Sequence, residues 1–178
     1  MGILMVSIYF VSTYKPILCG IAEYLKFLLR QLPKEKWKII SFNLEKCQTL
    51  GRLTSEEKES PEQVWYGITN PGSPSLKEIL EGIRNFQRKD NEEFILWFQH
   101  SFGIWKNIRS FVRLLKELEE LKIKKIVSFH TIHFQSKETR WGIEKREYNL
   151  LKYALPWVNA ITVFSRGSYL AIKEAFPN

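Results

Sequence analysis

Apolar residues occur along the chain in two alternating patterns, short and mostly apolar runs and longer segments with helical spacing. The runs Leu4–Val11 and Phe94–Phe98 are rich in β-branched and aromatic residues, which is typical of strands buried on both faces of a sheet. Between them, apolar residues recur at positions 21, 24, 25, 28, 29 and 32, which predicts a helix that ends before Pro33. The N-terminal segment is therefore predicted to be a strand, a loop that contains Gly20, and a helix.

The same alternation continues to the end of the chain. Further strands are predicted over Trp37–Asn43, Gln63–Ile68, Lys125–Phe129 and Ala160–Phe164. One helix is predicted from Ser75 to about Gln87, and Ser75 and Glu78 form a capping box at its start. Further helices are predicted over Trp105–Leu121, from the end of the polar loop Ile132–Gly142 to a stop before Pro156, and from near Ser168. The mostly polar stretch Leu44–Glu62 is predicted to be a surface excursion. Right-handed crossovers between such strands build a Rossmann-like, doubly wound α/β fold with a mainly parallel sheet and helices on both faces.

Polar side chains follow several predicted strands at the point where each strand ends. Gln99, His100 and Ser101 follow one strand, and His130 follows the next. In the common strand order the first and fourth strands are neighbours, so the loops after them are expected to face each other across a ligand crevice. A packing role stays open for each histidine by itself. The repeated placement of His100, His130 and His133 after strand ends favours a functional role.

Length, charge and cysteine content narrow the class of protein. The 178 residues, 44% of them hydrophobic, are expected to form one domain over residues 1–178. The formal charge of +8 suits phosphates, anionic lipid or nucleic acid, but the basic residues are spread along the chain, which disfavours nucleic acid as the partner. Two cysteines and no apolar run near the ~20 residues that span a bilayer predict a cytoplasmic protein, with peripheral contact to the inner face of the membrane left open.

Several kinds of chemistry compete for the candidate residues. His130 and His133 have a spacing that joins two metal ligands on a helix, but they are predicted at a strand exit with no carboxylate or Cys close in sequence, so no metal is expected. The loop before the first helix has one glycine and no G-x-G-x-x-G fingerprint, which disfavours dinucleotide binding, and no cofactor is expected. Cys19 is either a nucleophile partnered by His100 or a small buried residue. Gly20 allows close approach of a phosphate or sugar oxygen to a helix N-terminus, or simply forms a tight turn. Lys137 belongs to a charged loop that either contacts a substrate or headgroup or is solvated.

Four short motifs, in this order, resemble motifs of glycosyltransferase family 4, the "group one" glycosyl transferases of GT-B architecture. They are Pro16 with Cys19-Gly20-Ile21-Ala22-Glu23-Tyr24, Gln99-His100-Ser101-Phe102-Gly103, Ser128-Phe129-His130-Thr131, and Ala160-Ile161-Thr162-Val163-Phe164-Ser165. The resemblance covers nearly the whole chain and implies the N-terminal, acceptor-side domain of such an enzyme. The C-terminal domain that binds the nucleotide-sugar, with its glutamates eight positions apart, has no counterpart within these residues.

The resemblance also implies roles for individual residues. Cys19 and Gly20 would form the loop near the donor's sugar and phosphate, and His130 would face the reacting sugars as the catalytic histidine. His100 and Ser101 would bind the acceptor, together with Lys137 of the adjacent loop. Ser101 stands where many relatives have Glu, and Cys19 replaces a frequent Gly, which allows a different acceptor.

The function implied by the resemblance is retaining transfer of a hexose from a nucleotide-sugar to a sugar or a lipid-linked acceptor. Because half of such an active site lies in the second domain, residues 1–178 alone are expected to turn over little or no donor. The alternative is a stand-alone, non-catalytic Rossmann-like module that binds a sugar or an anion.

Overall fold

The computed structural model describes residues 6–87, 93–133 and 142–177. The strands are β1 (Ser7–Val11), β2 (Ile17–Leu18), β3 (Trp37–Phe42), β4 (Arg52–Leu53), β5 (Val64–Ile68), β6 (Phe94–His100), β7 (Lys125–Phe129) and β8 (Ala160–Thr162). The helices are α1 (Gly20–Leu29), α2 (Leu76–Phe86), α3 (Ile108–Glu120), α4 (Lys145–Ala154) and α5 (Arg166–Ala175).

Six strands form one parallel sheet in the order β5-β3-β1-β6-β7-β8. Strand β1 lies in the middle of the sheet; from it the chain builds outward through β3 and β5 and then crosses to β6 on the other side of β1. Val11 at the end of β1 is opposite both Ile40 and Phe98. The predicted doubly wound topology is therefore confirmed, and the strand order reverses between β1 and β6, where such sheets hold their ligands.

Apolar side chains are buried on both faces of this sheet. Tyr9 belongs to the larger hydrophobic cluster, which also contains the buried apolar side chains of α2, α3 and α4. Phe10, the next residue of the same strand, belongs to the smaller cluster with Leu25 and Leu29 of α1. Successive side chains of a strand point to opposite faces, so a strand covered on both faces is mostly apolar instead of alternating with polar residues. This explains the short, mostly apolar runs in the sequence.

Most predicted element boundaries lie within a few residues of the observed ones. The capping box is confirmed, since the Ser75 hydroxyl accepts from the Glu78 amide at 3.2 Å and the Glu78 carboxylate accepts from the Ser75 amide at 2.9 Å. Strand β6 continues two residues beyond its predicted end, through His100. Helix α3 begins at Ile108 rather than Trp105, because the Asn107 side chain caps it by accepting from the Ser110 amide at 3.2 Å.

The prediction that Leu44–Glu62 is only a polar surface excursion was wrong in part. Leu44, Cys47 and Leu50, which are spaced three residues apart, are buried in the larger cluster. Strand β4 follows them and pairs antiparallel with β2 in the loop between β1 and α1. Beyond β4, the Thr54 amide donates to the Pro16 carbonyl at 2.8 Å. The excursion therefore packs against the loop that leads to the candidate site.

Candidate functional site

His130 lies at the carboxyl edge of the sheet, directly after β7. Its backbone N–H donates to the His100 carbonyl at 2.9 Å, which extends the pairing of β6 and β7 by one residue. Its ring is half-buried between aromatic side chains, with ring centroids 5.1 Å from Tyr24 of α1 and 4.5 Å from Phe164 after β8. Three elements therefore hold the ring near the point where the strand order reverses.

The ionisation state of His130 follows from this burial. Loss of hydration lowers the pKa of His130 to about 4, so the ring is neutral at pH 7. Its Nε2–H donates to Oε1 of Gln99 at 2.8 Å. A neutral imidazole with its proton on Nε2 has its lone pair on Nδ1. The ring is thus suited to accept a hydrogen bond from a hydroxyl, and not to supply a positive charge.

Gln99 is a candidate site residue that the sequence pattern does not single out, because the pattern shows it only as a polar residue at the end of a strand. Its side chain is fully buried, and its Nε2 has no partner among the described residues. The register gives a signal that could have identified it, since Gln99 is opposite Ser128. His130, two residues after Ser128, is then expected on the same face as Gln99.

A row of hydrogen bonds supports this face of the sheet beneath the Gln99–His130 pair. The Trp97 indole N–H donates to the Ser128 hydroxyl at 2.8 Å, and that hydroxyl lies 2.6 Å from the Thr162 hydroxyl. These bonds join β6, β7 and β8 through side chains as well as backbone. The two strand ends that bear Gln99 and His130 are therefore held in a defined relative position.

Cys19 and Gly20 form the N-terminus of α1 at the same edge. Cys19 is the N-cap residue of this helix. Its sulfur accepts a hydrogen bond from the Ala22 amide, with the nitrogen 3.5 Å away, and lies 3.1 Å from the Thr13 hydroxyl oxygen. Gly20 is exposed, and a Cβ built on it would meet no atom of the described residues within 4 Å. The start of α1 therefore faces open space, while Tyr24 in its next turn contacts His130.

His100 occupies a different environment from the crevice wall predicted for it. The side chain has no exposed surface, and its ring packs 4.8 Å from Phe111 and 5.5 Å from Phe129 on the face opposite Gln99. Burial lowers the pKa of His100 to about 3, and neither ring nitrogen has a partner within the part of the chain that the structure describes. Acceptor binding by His100 stays a prediction, but in this conformation the ring is inaccessible to an acceptor.

The structure shows no hydrogen bond with the Gln99–His130 pair for the other predicted residues that it describes, Ser101 and His133. The Ser101 carbonyl accepts from the Trp105 amide at 2.8 Å, so this residue starts the turn that leads toward α3. Ser101 is half-buried, and His133 is exposed. Lys137 lies outside the described residues. Across residues 6–87, 93–133 and 142–177, no three His, Cys, Asp or Glu side chains converge on a possible metal position.

Comparison with known proteins assigns no family to this chain. No protein-family model matches it, and no curated protein does. Within the described ranges, no helix is long and apolar enough to cross a lipid bilayer. The functional argument therefore depends on the geometry of the Gln99–His130 pair and its surroundings.

Proposed function

We propose that this chain is the acceptor-binding N-terminal domain of a retaining glycosyltransferase. The enzyme would move a hexose from a nucleotide-sugar, held mainly by a second domain, to a sugar or a lipid-linked acceptor. The observation on which this proposal depends is the neutral His130 ring, oriented by Gln99 at the strand-order reversal, beside the open N-terminus of α1. The resemblance of the four motifs to glycosyltransferase family 4 supports the same assignment.

His130 would position a sugar rather than transfer a proton. A hydroxyl of the bound sugar donates to Nδ1, while Nε2–H stays bonded to Gln99 and prevents rotation of the ring. A protonated ring would lose this acceptor. With a pKa of about 4, His130 keeps its acceptor lone pair throughout the neutral range.

The N-terminus of α1 would receive the anionic part of the donor. The first backbone N–H groups of a helix lack partners within the helix, and its dipole favours negative charge at this end. The exposed position of Gly20 lets a phosphate approach the backbone without meeting a side chain. Cys19 already caps the Ala22 amide, so the amides of the preceding residues are the ones available to a phosphate oxygen.

Retention is consistent with a displacement in which both bonds change on one face of the sugar. The bond from the anomeric carbon to the phosphate oxygen breaks as the acceptor oxygen bonds to that carbon. The acceptor proton passes to the departing phosphate, and the oxocarbenium-like charge is stabilised by that phosphate. The residues described here would supply orientation and a phosphate contact for this step.

The test is transfer by the complete gene product from a panel of nucleotide-hexoses to sugar and lipid-linked acceptors. His130→Ala is expected to lower kcat/KM by about 10²-fold, the loss typical of a positioned transition-state contact. The matched control is His133→Ala, which removes an exposed histidine three residues away and should leave transfer within about twofold of wild type. Transfer by His130→Ala within about threefold of wild type would show that His130 has been assigned wrongly.

A further inference from the structure

A groove between α3 and α4 combines cations with apolar side chains on the sheet face opposite the His130 ring. Its volume is about 660 Å³. Ile108, Val112 and Trp157 supply its apolar surface, and Arg109, Arg113 and Lys116 are its cations. The groove is separate from the Gln99–His130 pair, because the buried side of α3 packs on the larger cluster.

Among the described residues, the three cations of this α3–α4 groove are poorly neutralised, since neither Arg109 nor Lys116 has a salt-bridge partner there. They recur at spacings of four and three residues, so they share one side of α3. Arg113 lies 3.9 Å from Glu117 with 71% of its side chain exposed, a geometry in which an ion pair is weak. An adjoining depression, lined in part by Arg109, Lys106 and Arg146, extends the positive surface past the start of α3.

We propose that the α3–α4 groove binds anionic phospholipids at a bilayer surface. Lipid phosphates would contact Arg109, Arg113 and Lys116, and the apolar groove would take the glycerol and upper acyl region. Amphipathic aromatic side chains favour this interfacial depth. Trp157 lines the groove, and Tyr153 beside it is 52% exposed. Neighbouring cations attract an anionic leaflet, so the charge of the groove suits the same surface as its aromatic side chains.

Two other anionic partners fit the groove less well. Single-stranded nucleic acid uses free aromatic faces for base stacking, but the Lys116 ammonium lies 5.6 Å from the Trp157 ring centroid and the Lys152 ammonium lies 5.8 Å from that of Tyr153. An acidic helix would find only about 10 Å of α3 between the first and last cation, roughly two turns. That length is short for an interface that buries about 800 Å² per partner.

The experiment is cosedimentation of the 178-residue chain with lipid vesicles, either of phosphatidylcholine alone or of phosphatidylcholine mixed with phosphatidylglycerol. The test variant is Arg109→Gln/Arg113→Gln. Each basic residue near an anionic surface contributes about fivefold to partitioning, so the pair is expected to lower binding to the anionic vesicles about 25-fold. The matched control is Lys46→Gln/Lys173→Gln, which removes two exposed cations elsewhere and changes the net charge equally.

Trp157→Ser tests the apolar part of the groove, and circular dichroism shows whether each variant is folded. Binding to anionic vesicles that falls in both groove variants and persists in the control supports the proposal. An equal loss in the control would mean that overall charge alone drives binding, and would overturn it. So would an absence of vesicle binding, or tighter binding to an oligonucleotide, to an acidic peptide or to inorganic phosphate than to the anionic vesicles. These results are independent of sugar transfer, since none of these substitutions touches Gln99 or His130.

Discussion

The buried His100 ring lowers the free energy of unfolding at acid pH, and replacing this one histidine should remove its share of the loss. In the folded chain its pKa is about 3, against 6.5 for an unperturbed histidine, because burial among phenylalanine rings excludes water. Below pH 6.5 the unfolded chain therefore takes up a proton that the folded chain refuses, and stability falls with pH until the folded pKa is reached. Each pH unit in this window costs about 1.4 kcal/mol. From pH 7.0 to 4.5, His100 alone should lower the free energy of unfolding by about 2.5 kcal/mol.

His100→Phe replaces this ring with one that does not titrate, and its neighbours are already aromatic. The variant is expected to lose about 2.5 kcal/mol less than wild type between pH 7.0 and 4.5, whatever its stability at pH 7.0. Urea unfolding followed by tryptophan fluorescence at the two pH values measures this difference. His133→Phe is the control, because it makes the same change at an exposed position. If wild type and His100→Phe lost equal stability on acidification, His100 would be hydrated, and its role as a crevice residue would become plausible again.

Three further outcomes follow from individual contacts. Gln99→Glu places a carboxylate on His130 Nε2 and should raise the pKa of His130 from about 4 by about 1–3 units, measured by NMR titration, whereas an unchanged pKa would deny the contact. Ser75→Ala removes the N-cap of α2 and should lower the free energy of unfolding by about 1 kcal/mol in urea, while Ser55→Ala, at an exposed position, should leave it unchanged. Trp97→Phe should cost about 1 kcal/mol in the same assay, because the Ser128 hydroxyl loses its indole donor and keeps only the Thr162 hydroxyl as a partner. Wild-type stability in this variant would show that the indole bond contributes nothing.

The fold class was predictable because its signals are local. Strands covered on both faces are mostly apolar, which made runs such as Lys125–Phe129 recognisable with their observed bounds. Ser75 and Glu78 lie three residues apart and bond each other through one helical turn, so their capping box needs no distant partner. The crossover rule then converts the alternation of strands and helices into a parallel sheet without further information.

The sequence misled in two places, once because of a contact distant along the chain and once because of a local helix cap. Leu44, Cys47 and Leu50 are three apolar residues within a polar stretch, and only their packing on the larger cluster shows that they are core residues. Helix α3 begins at Ile108 because the Asn107 side chain caps its first turn. The spacing of apolar residues does not show where such a cap ends the preceding loop.

For the candidate site, the sequence by itself determined that polar residues follow β6 and β7 and that the loops after β1 and β6 meet at the strand-order reversal. Only the tertiary structure decided which of those side chains face the ligand edge. Strand parity sends Gln99 and His130 to the face that α1 covers, where burial keeps His130 neutral and its bond to Gln99 leaves Nδ1 as the acceptor. It sends His100 into the aromatic core on the other face. The physical reason is that residue type and spacing specify which groups are present, whereas burial and partners 31 residues away in the chain specify their ionisation and access.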